Sequence, residues 1–199
     1  NWALAPVCDL ESGAPNPFLG ARAFGDYAQR VAEWVVAWVD ACQAEGVLAC
    51  AKHYPGIGRA LTDPHLALSG IEADAGALWA RDLLPFRAAV DTGVASVMAA
   101  PVGFPALDGS GTPASASRPL LHQLLREELH FEGLIVSDAL SMAGAAPDGD
   151  EVGAAIAALR AGCDLLLAPS DPHGVVEAIE AATDAGVLSL DALEASIAR

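Results

Sequence analysis

Short apolar runs alternate with longer segments of helical periodicity along most of the 199-residue chain. The predicted strands are Trp2–Val7, Val47–Tyr54, Ala95–Ala100, Leu134–Asp138 and Asp164–Ala168, and the predicted helices cover about 27–45, 78–92, 117–130, 151–161, 174–185 and 190–198. Strands separated by helices pair in parallel through crossovers, and nearly continuous apolar strands indicate that both sheet faces are covered. The pattern predicts an α/β protein, with Ser117 capping the helix that Pro119 opens.

Two architectures share this alternation, a (β/α)8 barrel of the TIM type and a doubly wound open sheet. No Gly-rich phosphate-binding fingerprint follows a predicted strand, which disfavours the doubly wound sheet. Asp9, Lys52–His53 and Asp138 do follow strands, and the carboxyl ends of barrel strands hold active sites. We therefore predict a (β/α)8 TIM-type barrel forming a single domain over 1–199. Only five of the eight strands are evident, so we expect this chain to lack the first strands.

Charge and hydropathy exclude several classes of partner. The net charge of −16 disfavours nucleic acid and anionic membrane surfaces, since both require a basic face. No apolar run reaches the length of a membrane span. The four cysteines lack any metal-ligand spacing, which favours a reducing compartment. We predict a monomer with a small-molecule substrate, no nucleic-acid partner and no membrane span.

Several polar residues stand where chemistry is expected. Lys52, the only lysine, ends an apolar run, and a charged side chain there is costly unless it faces a ligand or a partner. Asp63 precedes His65 by two residues, so its carboxylate could fix the tautomer of the imidazole, or the pair could simply form a turn. Asp138 could react with a ligand, cap a helix or pair with an arginine, and Arg22 could clamp a polar ligand or lie on the surface.

Three chemistries are compatible with these residue types. Lys52 could form a Schiff base, as in an aldolase-type lyase. His53, Asp63 and His65 could hold a metal ion in a hydrolase. Asp138 could be a nucleophile, with His65 as the proton shuttle, in glycosyl transfer through a covalent intermediate. The residue types alone leave all three open, and Asp9 could either bind sugar hydroxyls or close a turn.

Four separated motifs narrow the choice. They are AKHYPG at 51–56 with Asp63-x-His65, PALD at 105–108 with GTPAS-x-SR at 111–118, IVSDALSMAG at 135–144, and Asn16-Pro17 leading into Arg22-x-Phe24-Gly25. In this combination the chain resembles glycoside hydrolase family 3, and within it the β-N-acetylhexosaminidases. The resemblance covers nearly the whole chain.

The resemblance implies a retaining exo-glycosidase that releases terminal β-linked N-acetylglucosamine. It implies that Asp138 attacks the anomeric carbon, that His65 is the acid and base, and that Asp63 tunes His65. The residues implied to hold sugar hydroxyls are Arg22, Lys52 and His53. No metal and no organic cofactor is implied. The implied role is peptidoglycan turnover and recycling, which leads us to expect a cytoplasmic enzyme.

The chain departs from the family pattern at three places. Ile57 stands where the family usually has His, and Arg59-Ala60 replace Asp-Thr. Pro101 stands where a His commonly follows the preceding strand. These departures motivate an alternative, a non-catalytic or fragmentary barrel relative that binds sugar or a partner without turnover.

Overall fold

A computed structural model of the protein describes residues 1–13, 16 and 18–199. Five strands form one parallel sheet, and two short strands form a second one. The large sheet contains β1 (Trp2–Ala3), β2 (Leu48–Tyr54), β4 (Ser96–Ala99), β6 (Leu134–Ala139) and β7 (Leu165–Leu167), and the small sheet pairs β3 (Ser69–Gly70) with β5 (Val102–Gly103). The predicted α/β class is confirmed.

Helices connect the strands of the large sheet. The α-helices are α1 (Ala28–Ala44), α2 (Ala75–Ala77), α3 (Leu84–Asp91), α4 (Pro105–Asp108), α5 (Glu151–Ala161), α6 (Pro172–Asp184) and α7 (Leu190–Ile197). The π-helices are Leu78–Asp82 and Pro119–Glu128, and the 3-10 helices are Gly20–Arg22 and Ala114–Ala116. None of the described helices is both long enough and apolar enough to cross a bilayer.

The order of strands in the large sheet follows their order in the chain, β1-β2-β4-β6-β7. A doubly wound sheet would reverse this order at a switch point, whereas a barrel winds in one direction. The sheet is open within the described residues, with β1 and β7 at its edges. The strands therefore wind in one direction and form a parallel half-barrel.

The core lies between the sheet and its helices. Val31, Val35 and Val39 recur every fourth residue along α1 and are all buried, which explains why this segment forms an amphipathic helix. Tyr54, at the end of β2, is fully buried and packs edge-to-face against Phe86 with ring centroids 5.7 Å apart. This packing fixes the carboxyl end of β2, where the motif of 51–56 begins.

Ser117 takes the predicted cap position but does not cap the helix with its side chain. Its backbone is extended and its carbonyl oxygen accepts from the Leu121 N–H at 3.0 Å, whereas Arg118 already has helical dihedral angles. The Ser117 hydroxyl instead donates to Asp108 Oδ2 at 2.8 Å. Asp108 also accepts from the Ser110 and Gly111 N–H groups, so it collects donors from the whole 108–117 loop.

Candidate active site

The carboxyl ends of β2 and β6 bring the predicted residues to one edge of the sheet. Parallel register aligns Lys52 with Met98 and Met98 with Val136, so Asp138 lies near the level of the residues that end β2. Because parallel strands share the direction of their ends, Lys52, His53 and Asp138 meet at the same rim. The sequence pattern predicted the active site at this edge of the sheet.

His53 is held by Asp9, a fully buried carboxylate. Asp9 Oδ2 lies 2.7 Å from His53 Nδ1. The same carboxylate accepts from the backbone N–H of His53 at 3.2 Å and from that of Ile57 at 2.8 Å. All of these bonds run within the protein, so Asp9 closes the 53–57 loop and is not exposed to a sugar. The arrangement leaves Nε2 of His53 as the ring nitrogen without a partner in the described part of the chain.

Asp63 and His65 form a second carboxylate–imidazole pair, and this one faces solvent. Asp63 Oδ1 lies 2.8 Å from His65 Nδ1 and accepts from the His65 backbone N–H at 2.9 Å. The His65 side chain is 62% exposed. The His65 N–H lowers the pKa of Asp63, with smaller contributions from the His65 ring and from the charge of Arg22. The ionised carboxylate orients the ring and leaves Nε2 free to exchange a proton.

Arg22 is exposed and ends the 3-10 helix Gly20–Arg22. Its guanidinium donates to the carbonyl oxygens of Leu19 and Phe18, which orients the side chain. Its charge contributes slightly to the lowered pKa of Asp63. Pro17, the second residue of the Asn16-Pro17 motif, lies outside the described residues.

Lys52 and Asp138 are half-buried and are left available by the fold. In the described ranges, the Lys52 side chain has no hydrogen-bond or ion-pair partner, and Asp138 Oδ1 accepts only from the adjacent Ala139 N–H at 2.8 Å. The next helix begins at Glu151, so Asp138 is not a helix cap, and no described arginine pairs with it. Both charged groups are therefore free to meet a ligand.

The residues that depart from the family pattern are either buried or paired. Ile57 is buried, and its N–H binds Asp9. Arg59 Nε lies 3.0 Å from both oxygens of Asp82, a carboxylate that is 2% exposed. Pro101 is buried as well. The protein therefore accommodates these residues by packing Ile57 and Pro101 in its interior and by pairing Arg59 with Asp82.

The two histidines of the predicted site have separate carboxylate partners. Across 1–13, 16 and 18–199, no group of three or more His, Cys, Asp or Glu side chains is arranged to hold a metal ion. His53 is bound to a buried carboxylate and His65 to an exposed one. Within the described residues, the predicted site thus offers a carboxylate (Asp138) and an amine (Lys52) without side-chain partners, together with the exposed imidazole of His65.

The comparison with known families decides the assignment. The family described as Glycosyl hydrolase family 3 N terminal domain matches residues 1–199. The chain belongs to this family. The relationship predicted from the four motifs is therefore confirmed.

Individual family 3 relatives agree with this assignment. A β-hexosaminidase of Methylococcus capsulatus is 38% identical, and the match covers 91% of this chain and 53% of that protein. A β-hexosaminidase of Thiobacillus denitrificans is 39% identical, and the match covers 87% of this chain and 47% of that protein. The solved structure of a glycoside hydrolase family 3 β-N-acetylglucosaminidase from Paenibacillus sp. superimposes with a TM-score of 0.96 at 34% identity, covering 100% of this chain and 38% of that one. The chain spans about half the length of the curated relatives it matches.

Sequence reasoning missed some residues that shape this family 3 site. Asp82 pairs with Arg59, and the Gly144 N–H donates to the Pro64 carbonyl oxygen at 2.9 Å, so both contacts join segments far apart in the chain. The pairing of Asp82 was partly predictable from the sequence, because an acidic residue on the inward side of an amphipathic helix needs a cation as its partner. Pro64 and Gly144 carried no such signal beyond their membership of the motifs.

Proposed function

We propose that the protein is a retaining β-N-acetylhexosaminidase that hydrolyses terminal β-linked N-acetylglucosamine. One observation carries the proposal: the exposed imidazole of His65, held at Nδ1 by Asp63, lies on a loop that is hydrogen-bonded through Pro64 to Gly144, six residues after Asp138, whose carboxylate has no side-chain partner among the described residues. Membership of family 3 and the names of the relatives support the substrate class.

The proposed reaction has two steps. In the first, an Asp138 oxygen attacks the anomeric carbon, the bond from that carbon to the leaving oxygen breaks, and protonated His65 gives its Nε2 proton to the leaving oxygen. In the second, neutral His65 takes a proton from water as the water oxygen attacks the anomeric carbon and releases Asp138. Both steps invert that carbon, so the sugar keeps its configuration. Asp63 stabilises the imidazolium that is present at the start of each cycle.

The substrate-binding residues are proposed from the same rim. Lys52 and the guanidinium of Arg22 can donate to sugar hydroxyls, and Nε2 of His53 is available because Asp9 occupies Nδ1. The buried Asp9 fixes the orientation of His53, so this contact would be preorganised before the sugar binds. None of these contacts requires a metal ion or an organic cofactor.

The wider setting is proposed on family grounds. We propose that the complete fold is a (β/α)8 barrel, supported by the single winding direction of the strands, and that the enzyme is a monomer of one catalytic domain. We place it in peptidoglycan turnover, which agrees with the bacterial β-hexosaminidases among its relatives. A cytoplasmic location agrees with its four free cysteines.

The nucleophile is tested by Asp138→Ala in the full protein. We expect turnover of an aryl β-N-acetylglucosaminide to fall on the order of 10⁴–10⁶-fold, as when other covalent nucleophiles are removed. A fluorinated N-acetylglucosaminyl substrate that slows the second step should add its mass to the peptide containing Asp138. Asp148→Asn, an exposed carboxylate in the following loop, is the matched control and should keep normal rates. Near-normal turnover by Asp138→Ala would refute the assignment, and sugar binding by the wild type without turnover would favour the non-catalytic alternative.

A further inference from the structure

The loop that carries Asp63 and His65 is attached to the rest of the protein at one residue. Within 61–68, Pro64 is buried, Asp63 is half-buried and the other residues are exposed; Leu61 is 90% exposed and Leu66 76%. Within this stretch the backbone hydrogen bonds are local and run from the Leu66 and Ala67 N–H groups to the Asp63 carbonyl oxygen. A loop with so few contacts has little to fix its position by itself.

The attachment comes from the turn that follows Asp138. The Gly144 N–H donates to the Pro64 carbonyl oxygen at 2.9 Å, and among the described residues this is the hydrogen bond that joins 61–68 to another segment. The turn itself is well packed, since Met142, Ala145 and Ala146 are buried. It therefore offers a fixed donor to an otherwise exposed loop.

The contact requires glycine because of space. A Cβ at Gly144 would lie 2.5 Å from the Pro101 carbonyl oxygen and 2.9 Å from the Pro64 carbonyl oxygen, both backbone atoms that cannot rotate away. Gly144 is not among the residues with positive φ, so its backbone conformation is open to other residues. Only the close approach of three chain segments excludes a side chain here.

We propose that Gly144 is a positioning residue, which anchors the loop carrying Asp63 and His65 to the turn that follows Asp138. The hydrogen-bonded carbonyl belongs to the residue between Asp63 and His65, so any shift at Gly144 reaches both members of the pair. The proposed acid and the proposed nucleophile are thus joined through one contact. This inference rests on the proposed function, because it assigns Gly144 a part in placing His65 over the leaving oxygen.

The test is Gly144→Ala in the full protein, assayed with two aryl β-N-acetylglucosaminides. The added methyl group should displace Pro64, and a displacement of about 1 Å can cost on the order of 10²-fold in rate. We expect kcat for a 4-nitrophenyl leaving group to fall by about this factor with little change in KM. The 2,4-dinitrophenyl substrate, which leaves without full protonation, should lose much less. Hydrogen exchange in peptides covering 61–68 should become faster.

Gly70→Ala is the matched control. Gly70 lies in β3, directly after the same loop, also without positive φ, and its Cβ would approach only the Glu72 side chain at 3.8 Å. It should leave both substrates and the exchange rates unchanged. Should Gly144→Ala fail to fold, Pro64→Ala retains the carbonyl acceptor but removes the buried ring, and it should give the same dependence on leaving group with a smaller loss.

The outcomes separate the two proposals. Wild-type protein that turns over neither substrate would refute the proposed function, and unchanged exchange of 61–68 in the variant would then refute the anchor as well. Active wild type with a Gly144→Ala variant that matches Gly70→Ala would overturn the inference alone. Equal losses on both substrates would also overturn it, since they would point to a general disturbance and not to a displaced acid.

Discussion

Asp9 and Asp63 make the same contact with a histidine but differ in burial. Each carboxylate binds Nδ1 of its partner ring at 2.7–2.8 Å and also accepts from that histidine's backbone N–H. Asp9, in the first pair, is fully buried, whereas the His65 ring, in the second pair, lies mostly in solvent. The buried pair is suited to hold a sugar in a fixed place. The exposed pair is suited to proton transfer, because its ring can exchange protons and approach a bound substrate.

The role of Asp63 is tested by Asp63→Asn. The His65 N–H lowers the pKa of Asp63, so the carboxylate stays charged through the neutral range and loses its charge only as the pH falls below the ordinary aspartate pKa. An amide removes this charge and no longer stabilises the imidazolium. We expect kcat/KM for a substrate with a poor leaving group to fall about 10²–10⁴-fold, the usual contribution of general acid–base catalysis.

The measurement is a comparison of leaving groups. The loss in Asp63→Asn should be greatest for alkyl or 4-nitrophenyl glycosides and small for the 2,4-dinitrophenyl glycoside. Asp148→Asn should reproduce the wild-type profile. A uniform loss on all leaving groups would show that Asp63 acts in binding instead.

At the scale of elements, the Lys52–Arg59 segment is fixed by its contact with the π-helix Leu78–Asp82. Arg59 binds both oxygens of the buried Asp82, and Arg81 adds a longer contact of 3.4 Å. Burial raises the pKa of Asp82, while the charges of Arg59 and Arg81 oppose the shift. The motif loop therefore depends on a cation at residue 59 to keep this carboxylate ionised.

Arg59→Ala should destabilise the protein in a pH-dependent manner. Without Arg59 the folded-state pKa of Asp82 rises further, so ionised Asp82 opposes folding at neutral pH. The penalty should disappear as the pH falls below the pKa of the unfolded carboxyl group, since both states are then protonated. Melting temperatures of Arg59→Ala and wild type should therefore differ most near pH 7 and converge towards pH 4. Arg30→Ala, an exposed arginine on α1, is the control, and a difference independent of pH would contradict the assignment.

Elements with strong periodicity were predictable, and long-range contacts were not. Helical spacing predicted 27–45 where α1 spans Ala28–Ala44, and the apolar run predicted 95–100 where β4 spans Ser96–Ala99. The two-residue strands β3 and β5 were missed, because they are defined by pairing between residues 33 positions apart and not by local pattern. The place of Ser117 at the start of a helix was predictable, but the partner of its hydroxyl was not, since Asp108 lies nine residues earlier.

The site residues were likewise predictable where a local pattern determines their position, and unpredictable where long-range contacts do. The residue types at strand ends predicted that Lys52, His53 and Asp138 would meet at one edge of the sheet, because a parallel sheet gathers such ends whatever the remaining sequence. The roles of Asp9 and Gly144 could not be predicted, since each depends on another segment approaching to within about 3 Å. Motifs indicate candidate residues for the chemistry, whereas packing determines which residues hold them in place.

At the scale of the whole molecule, the open sheet limits what the 199 residues can do by themselves. β1 pairs over only two residues, with a further bridge from Val7 to Lys52, and its outer edge has no partner strand among the described residues. Trp2 and Leu48 lie partly exposed near this edge. An unpaired edge with apolar neighbours favours association with another strand. The sugar pocket of a barrel, by contrast, is lined from all sides of the rim.

Pairing the open edge of β1 should therefore raise both solubility and turnover. We would compare residues 1–199 with a chimera in which the part of the Methylococcus relative that lies outside the matched segment is fused to them. The chimera should be monomeric by light scattering and should hydrolyse an aryl β-N-acetylglucosaminide, whereas residues 1–199 should associate and show at least about 10²-fold lower kcat/KM, because the open sheet lines only part of a barrel rim. Asp138→Ala in the chimera is the control and should remove the recovered activity. Equal activity in the two proteins would show that the rim built by β2, β4, β6 and β7 suffices, and that closure of the barrel contributes nothing to the pocket.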